Sequence, residues 1–149
     1  MEKKTIEISL LILGCSATKR HDADLMPALQ RYDGPMYRVL RKALRERPGL
    51  ADRLKICVLS AEHGLISANT PIADYDRRMT RELATNMRPK VVEQANEIFG
   101  GIRWPGFIAC GKTYSIALPA QIWYADMRSS FGGIGCQLAQ LKTWLGGLP

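Results

Sequence analysis

Residues 8–19 read ISLLILGCSATK, and this stretch decides the fold. Leu10, Leu11, Ile12 and Leu13 form an apolar run closed by Gly14. The run is far shorter than the roughly 20 residues of a membrane span and suits a strand buried on both faces. Immediately beyond it, Cys15, Ser16, Thr18 and Lys19 bring a thiol, two hydroxyls and an amine to the point where the strand emerges. In open parallel sheets, ligands bind outside that carboxyl edge. The pattern recurs twice. Residues 54–59 (LKICVL) run into Ser60-Ala61-Glu62-His63-Gly64, and residues 106–110 (GFIAC) run into Gly111-Lys112-Thr113-Tyr114. Three apolar strands with three polar, glycine-bearing exits predict one shared site.

Between the strands the periodicity changes. Pro35 can open a helix carrying Met36, Val39, Leu40, Ala43 and Leu44 at helical spacing, and Pro48-Gly49 stops it, so residues 8–59 form a strand-helix-strand unit. Leu83, Met87, Val91, Ala95 and Ile98 make a second apolar stripe, with Asp76 or Thr80 as its cap and Gly100-Gly101 as its end. Pro89 falls inside this stripe and is expected to kink or divide the helix near Met87 and Arg88. Gly132-Gly133 opens a third helix through Ile134, Leu138, Leu141, Trp144 and Leu145. Residues 113–128 read either as a helix broken at Pro119 or as a helix followed by a strand, while residues 20–34 and 60–76 read as long loops. The expectation is one α/β domain over residues 1–149, in three layers, with a mostly parallel central sheet and helices on both faces.

The chain carries 21 basic and 14 acidic residues, a formal charge of +7, which points toward nucleic acid or another polyanion. Arg38, Arg41, Lys42, Arg45 and Arg47 crowd one segment, and Arg77, Arg78, Arg81, Arg88 and Lys90 another; each is a solvated helix face or a binding surface. Cys15, Cys57, Cys110 and Cys136 are widely spaced and lie in or beside apolar segments, which predicts reduced thiols rather than disulfides or zinc. No metal and no cofactor is expected. With no membrane span and no signal peptide to fit, the expected location is cytoplasmic, and the oligomeric state is left open.

Cys15 is either a nucleophile or a small buried thiol; Lys19, four residues on, either snorkels to solvent or reaches a bound anion. Glu62 and His63 supply a carboxylate and an imidazole for proton transfer, but neighbours in extended backbone point in opposite directions. Lys19 and Lys112 would hold an anion, Ser16, Ser60 and Thr113 would hydrogen-bond it, and Asp74 and Tyr75 would meet a base or ribose. The glycine of the second exit, Gly64, belongs to the same set. Gly106 to Thr113, GFIACGKT, formally satisfies the phosphate-cradling G-x-x-x-x-G-K-T motif, but its middle four residues read as the strand rather than the loop. Gly111, Lys112 and Thr113 would still bind a single phosphate if a helix starts there.

LLILGCSATK at residues 10–19, followed by LSAEHGLISANTPIADYDRRM at 59–79, resembles the YaaA-like proteins, whose better-known members are tied to peroxide stress and DNA binding. The matching positions are Ser16, Lys19, Leu59, Ser60, Gly64, Tyr75 and Met79, and the likeness extends to CGKTY at 110–114 and GGIGCQLAQLKTWL at 132–145. Cys15 to Lys19 also resembles the Cys-x-x-x-Lys motif of archaeosine synthase, which elaborates a deazaguanine base in transfer RNA; Gly14 stands where that enzyme has proline. The resemblance implies a nucleotide, nucleobase or nucleic-acid partner and base- or nucleotide-modifying chemistry, with Cys15, Lys19, Glu62 and His63 at the reacting centre. The competing expectation is a non-catalytic DNA- or RNA-binding module, active in oxidative or DNA-damage stress, that works through Arg38, Arg41 and Arg45.

Overall fold

The computed structural model describes residues 7–100, 104–119 and 127–149. Among these the centre is strand β1, Ser9–Gly14, whose Leu11, Ile12 and Leu13 have no exposed surface. It pairs in parallel with β3, Leu54–Ser60, on one side and with β6, Gly106–Ala109, on the other. Beyond β6 lies parallel β7, Met127–Ser129, and beyond β3 lies antiparallel β4, Gly64–Ser67, giving the order β4-β3-β1-β6-β7. The three expected strands are therefore the three middle strands.

Because successive side chains of a strand face opposite ways, the sheet has two apolar faces. Leu10, Ile12, Cys57 and Leu59 pack with Met87, Val91 and Ala95 of helix α3, Arg81–Phe99. Leu11, Leu13 and Val58 pack instead with Tyr37 and Leu40 of α2, Pro35–Glu46, and with Leu141 and Leu145 of α5, Ile134–Gly146. The result is the three-layer α/β arrangement, with a sheet that is mostly parallel and mixed at one edge. No helix among the described residues is long and apolar enough to cross a membrane.

Both long loops contain structure that the sequence pattern hides. Residues 64–67 form β4 because Leu65 is buried on the α3 face while Ile66 packs on the other, so a short LIS run is covered on both sides. Met26–Pro27 (β2) pairs with Pro71–Ile72 (β5) as a small antiparallel ribbon, and Ala28–Arg31 adds one helical turn, α1. Gly64 closes the β3–β4 hairpin at φ +76°, a conformation that side chains rarely adopt. A Cβ there would also lie 2.2 Å from Gln94 Oε1, which accepts the Leu65 N–H at 2.8 Å while Nε2 donates to the His63 carbonyl at 2.9 Å.

Helix α3 runs unbroken through Pro89, so the expected division near Met87 and Arg88 does not occur. Ala84, Met87, Val91 and Ala95 are buried on both sides of the proline, and that burial outweighs the ~3 kcal/mol a mid-helix proline costs. Thr80, not Asp76, caps the helix, its Oγ1 accepting the Leu83 N–H. Gly100 ends it in the left-handed region, while Gly101 lies outside the described residues. Of residues 113–128, the ends are now placed in the one-turn helix α4, Lys112–Ser115, and in β7; residues 120–126 lie outside the described part.

Candidate functional site

The topology singles out one place. From β1 the chain crosses to β3 on one side, then returns past β1 to β6 and β7 on the other. β1 and β6 are thus the neighbours at which the direction of winding reverses, and the loops leaving their carboxyl ends separate. A cleft of about 280 Å³ opens there. Gly14, Cys15 and Ser16 from the β1 exit and Cys110 and Gly111 from the β6 exit form its floor. Gly34 to Tyr37 at the start of α2, Ile134 and Gln137 at the start of α5, and Tyr114 of α4 form its walls.

Local sequence explains how those walls come so close. Gly34 approaches Ser16 so tightly that a Cβ would fall 2.3 Å from its Oγ. Tyr37, on the first turn of α2, is buried and donates its hydroxyl to the Gly14 carbonyl at 2.7 Å, docking the helix start on the strand end. Helices α2, α4 and α5 begin after Gly34, Gly111 and Gly133, and none of the three has a side-chain cap. Their first N–H groups therefore have no cap acceptor, and the positive ends of two long helices border the cleft.

The Cys15 thiol is half-buried on this floor. Its Sγ lies 3.0 Å from Tyr114 Oη, and that hydroxyl also lies 3.3 Å from the Cys15 carbonyl oxygen, to which it can donate. Burial, and then the adjacent Cys15 sulfur, raise the Tyr114 phenol above its ordinary value, so it keeps its proton at neutral pH. Cys110, buried on the same floor, is pushed up to about 11 by desolvation and stays a thiol. The four cysteines are unpaired, and among the described residues no three His, Cys, Asp or Glu side chains are grouped to hold a metal.

Behind the Cys15–Lys19 turn lies a second cluster holding most of the other candidates. Ser60 Oγ has no exposed surface and accepts the N–H groups of Glu62 and His63, both at 3.1 Å. With its lone pairs so occupied, its proton goes to Tyr75 Oη at 3.0 Å, and Tyr75 in turn donates to Tyr32 Oη at 2.6 Å. Desolvation raises both phenols, Tyr32 to about 12, so the chain of hydroxyls stays neutral. The Lys19 ammonium sits over the Tyr75 ring, 4.7 Å from its centroid, and donates to the Ser16 carbonyl at 3.3 Å. His63 meets the same ring edge-on at 5.5 Å, and its buried Nε2 has no hydrogen-bond partner. Asp74 is exposed and bonded to His21 Nδ1 at 2.8 Å, an interaction that holds its carboxyl below the ordinary value.

The candidates thus divide. Cys15, Ser16 and Gly111 line the cleft; Lys19, Ser60, His63 and Tyr75 form the hydroxyl cluster; Gly64 turns the hairpin beside them. Glu62 is exposed and faces Arg77 at 3.6 Å, pointing to the surface while its neighbour His63 packs inward. Lys112 is exposed and Thr113 half-buried on the single turn of α4.

Sequence reasoning passed over Arg31, Tyr37 and Gln137, and placed Tyr114 in the third exit without giving it a role. Arg31 is fully buried, and its guanidinium donates to the carbonyls of Arg20, Asp22, Asp24 and Ile72, tying the turn after Lys19 to β5. Tyr37 had a usable signal, since it lies three residues before Leu40 on the predicted helix. Ile134, expected on the apolar stripe of α5, is instead 57 % exposed at the lip of the cleft.

The sequence matches no protein-family model and no curated protein.

Proposed function

We propose that the chain binds the phosphate-bearing part of a nucleotide or of a nucleic acid in the cleft between the β1 and β6 exits. The observation that carries this is the cleft's position at the reversal of winding, where α/β sheets bind ligands. Its chemistry supports an anion: uncapped N–H groups at the starts of α2 and α5 suit phosphate oxygens. The exposed Ile134 side chain at the lip offers an apolar surface to a base or sugar. If the protein is an enzyme, Cys15 on the floor is the nucleophile placed to act on the bound base or nucleotide, with Ser60, Tyr75 and Lys19 as supports of the turn that carries it.

The test is titration of mononucleotides and short oligonucleotides against the wild type, Ile134→Asp and Lys19→Ala. A carboxylate at the lip should reduce affinity at least about tenfold, and Lys19→Ala should have a smaller effect. Absence of binding by every phosphate ligand, or equal affinity in Ile134→Asp, removes the proposal.

The competing module reading relied on the arginines of α2. Two of its three side chains have internal work: Arg38 and Arg41 pair with Asp33, and Arg41 also holds the carbonyls of Leu29 and Tyr32, while Arg45 makes no such bond among the described residues. This favours the cleft. Binding that weakens steeply with salt and is lost in Arg38→Ala or Arg45→Ala, but not in Ile134→Asp, would reverse the preference.

A further inference from the structure

The geometry points to Tyr114 as the positioning residue for Cys15: its hydroxyl stabilises the thiolate and holds the sulfur toward the cleft. This rests on the reading of the cleft as the ligand site. Tyr114 Oη has two acceptors within reach, Sγ at 3.0 Å and the Cys15 carbonyl oxygen at 3.3 Å. While the thiol is protonated, its S–H donates to Oη and the phenol donates to the carbonyl. When the thiol proton leaves to solvent through the open cleft, the electron pair stays on sulfur and the phenol O–H turns to donate to it. No heavy atom moves, and the new bond is charge-assisted, which makes it stronger than the one it replaces.

Three further observations fit that role. The Tyr114 phenol keeps its proton because burial raises it, so it acts as a donor and not as a base. The start of α2 borders the same floor, and the positive end of a helix favours a thiolate. Tyr114 is held by its own backbone, the Ala117 N–H donating to its carbonyl at 3.0 Å, on a turn that starts directly from the β6 exit.

The experiment measures alkylation of Cys15 by iodoacetamide against pH, in a Cys136→Ser background that removes the exposed thiol. Cys57 and Cys110 stay silent, being buried and pushed up to about 12 and about 11. In Tyr114→Phe the rate profile should move to higher pH, with labelling about tenfold slower near neutrality and equal at the alkaline limit. Meta-fluorotyrosine placed at position 114, a stronger donor of nearly the same volume, should move the profile the other way and serves if the phenylalanine variant fails to fold. An unmoved profile, or a slowdown of equal size at every pH, overturns the assignment, since the latter reports access alone. Adding ATP separates this from the parent reading. Protection of Cys15 in both proteins supports the cleft, whereas no protection removes the cleft as a nucleotide site and leaves the pH shift to decide on Tyr114.

Discussion

Two polar regions flank the Cys15–Lys19 turn, and they use their hydrogen-bonding groups in opposite ways. On the loop side, the Arg31 guanidinium meets four main-chain carbonyls, and Ser60 accepts two N–H groups while donating to Tyr75. On the cleft side, three helix starts have no side-chain cap, and the Cys15 thiol meets a single phenol beside open space. A densely bonded network rigidifies what it touches, because every broken bond leaves a costly unpaired group, and here only Arg31 Nε and His63 Nε2 lack partners among the described buried side-chain groups of the loop side. Groups left uncommitted around a concavity are the ones a ligand can use. The comparison therefore assigns positioning to the loop side and recognition to the cleft.

The largest expected effect that bears on this contrast comes from Arg31→Ala. It removes four hydrogen bonds, the one to the Ile72 carbonyl fully buried, together with the packing of a buried side chain, and should cost roughly 3 kcal/mol in urea unfolding; a loss below about 1 kcal/mol would mean that the loops hold themselves. Ser60→Ala comes next, at about 2–3 kcal/mol, since two N–H groups and the Tyr75 phenol lose their partner. Cys15→Ser should stay within roughly 1 kcal/mol of the wild type, and a larger loss would blur the division between the two regions. Gly34→Ala should cost about 1–2 kcal/mol, because its Cβ displaces the Ser16 hydroxyl. Nucleotide affinity should fall with it if the approach of α2 shapes the cleft.

The smallest effect is a pH dependence on the loop side. The Asp74 carboxyl, bonded to His21, lies below its ordinary value of 3.8 in the folded protein. A depressed carboxyl contributes stability above its unfolded value and loses that contribution as pH falls through the folded one. The melting temperatures of wild type and Asp74→Asn should therefore differ slightly above the ordinary carboxyl value of 3.8 and converge as pH falls through the lowered folded-state value. A difference that persists in acid would show that the two loops are not joined through the Asp74 charge.

The strands were readable because Leu10 to Leu13, residues 54–59 and residues 106–109 are apolar runs too short for buried helices and closed by glycine or polar exits. β4 was not, because its two apolar residues are too few to make a pattern and are buried only by α3 on one face and by the opposite core on the other. Arg31 looks in sequence like any surface arginine; its burial depends on carbonyls from residues 20–24 and from Ile72, 41 positions away.

The sequence by itself determined the three middle strands, their helical crossovers, the expectation of a parallel sheet, and the gathering of polar exits at one edge, since each follows from local periodicity and glycine placement. Only the tertiary structure decided that Cys15 and Ser16 share a cleft with the starts of α2 and α5 and with Tyr114, while Ser60, Tyr75 and Lys19 close on one another behind it. The physical reason is strand order. The edge on which an exit lies is local, but which exits become neighbours depends on β1 standing between β3 and β6, and that is settled by packing two apolar faces between separate layers of helices.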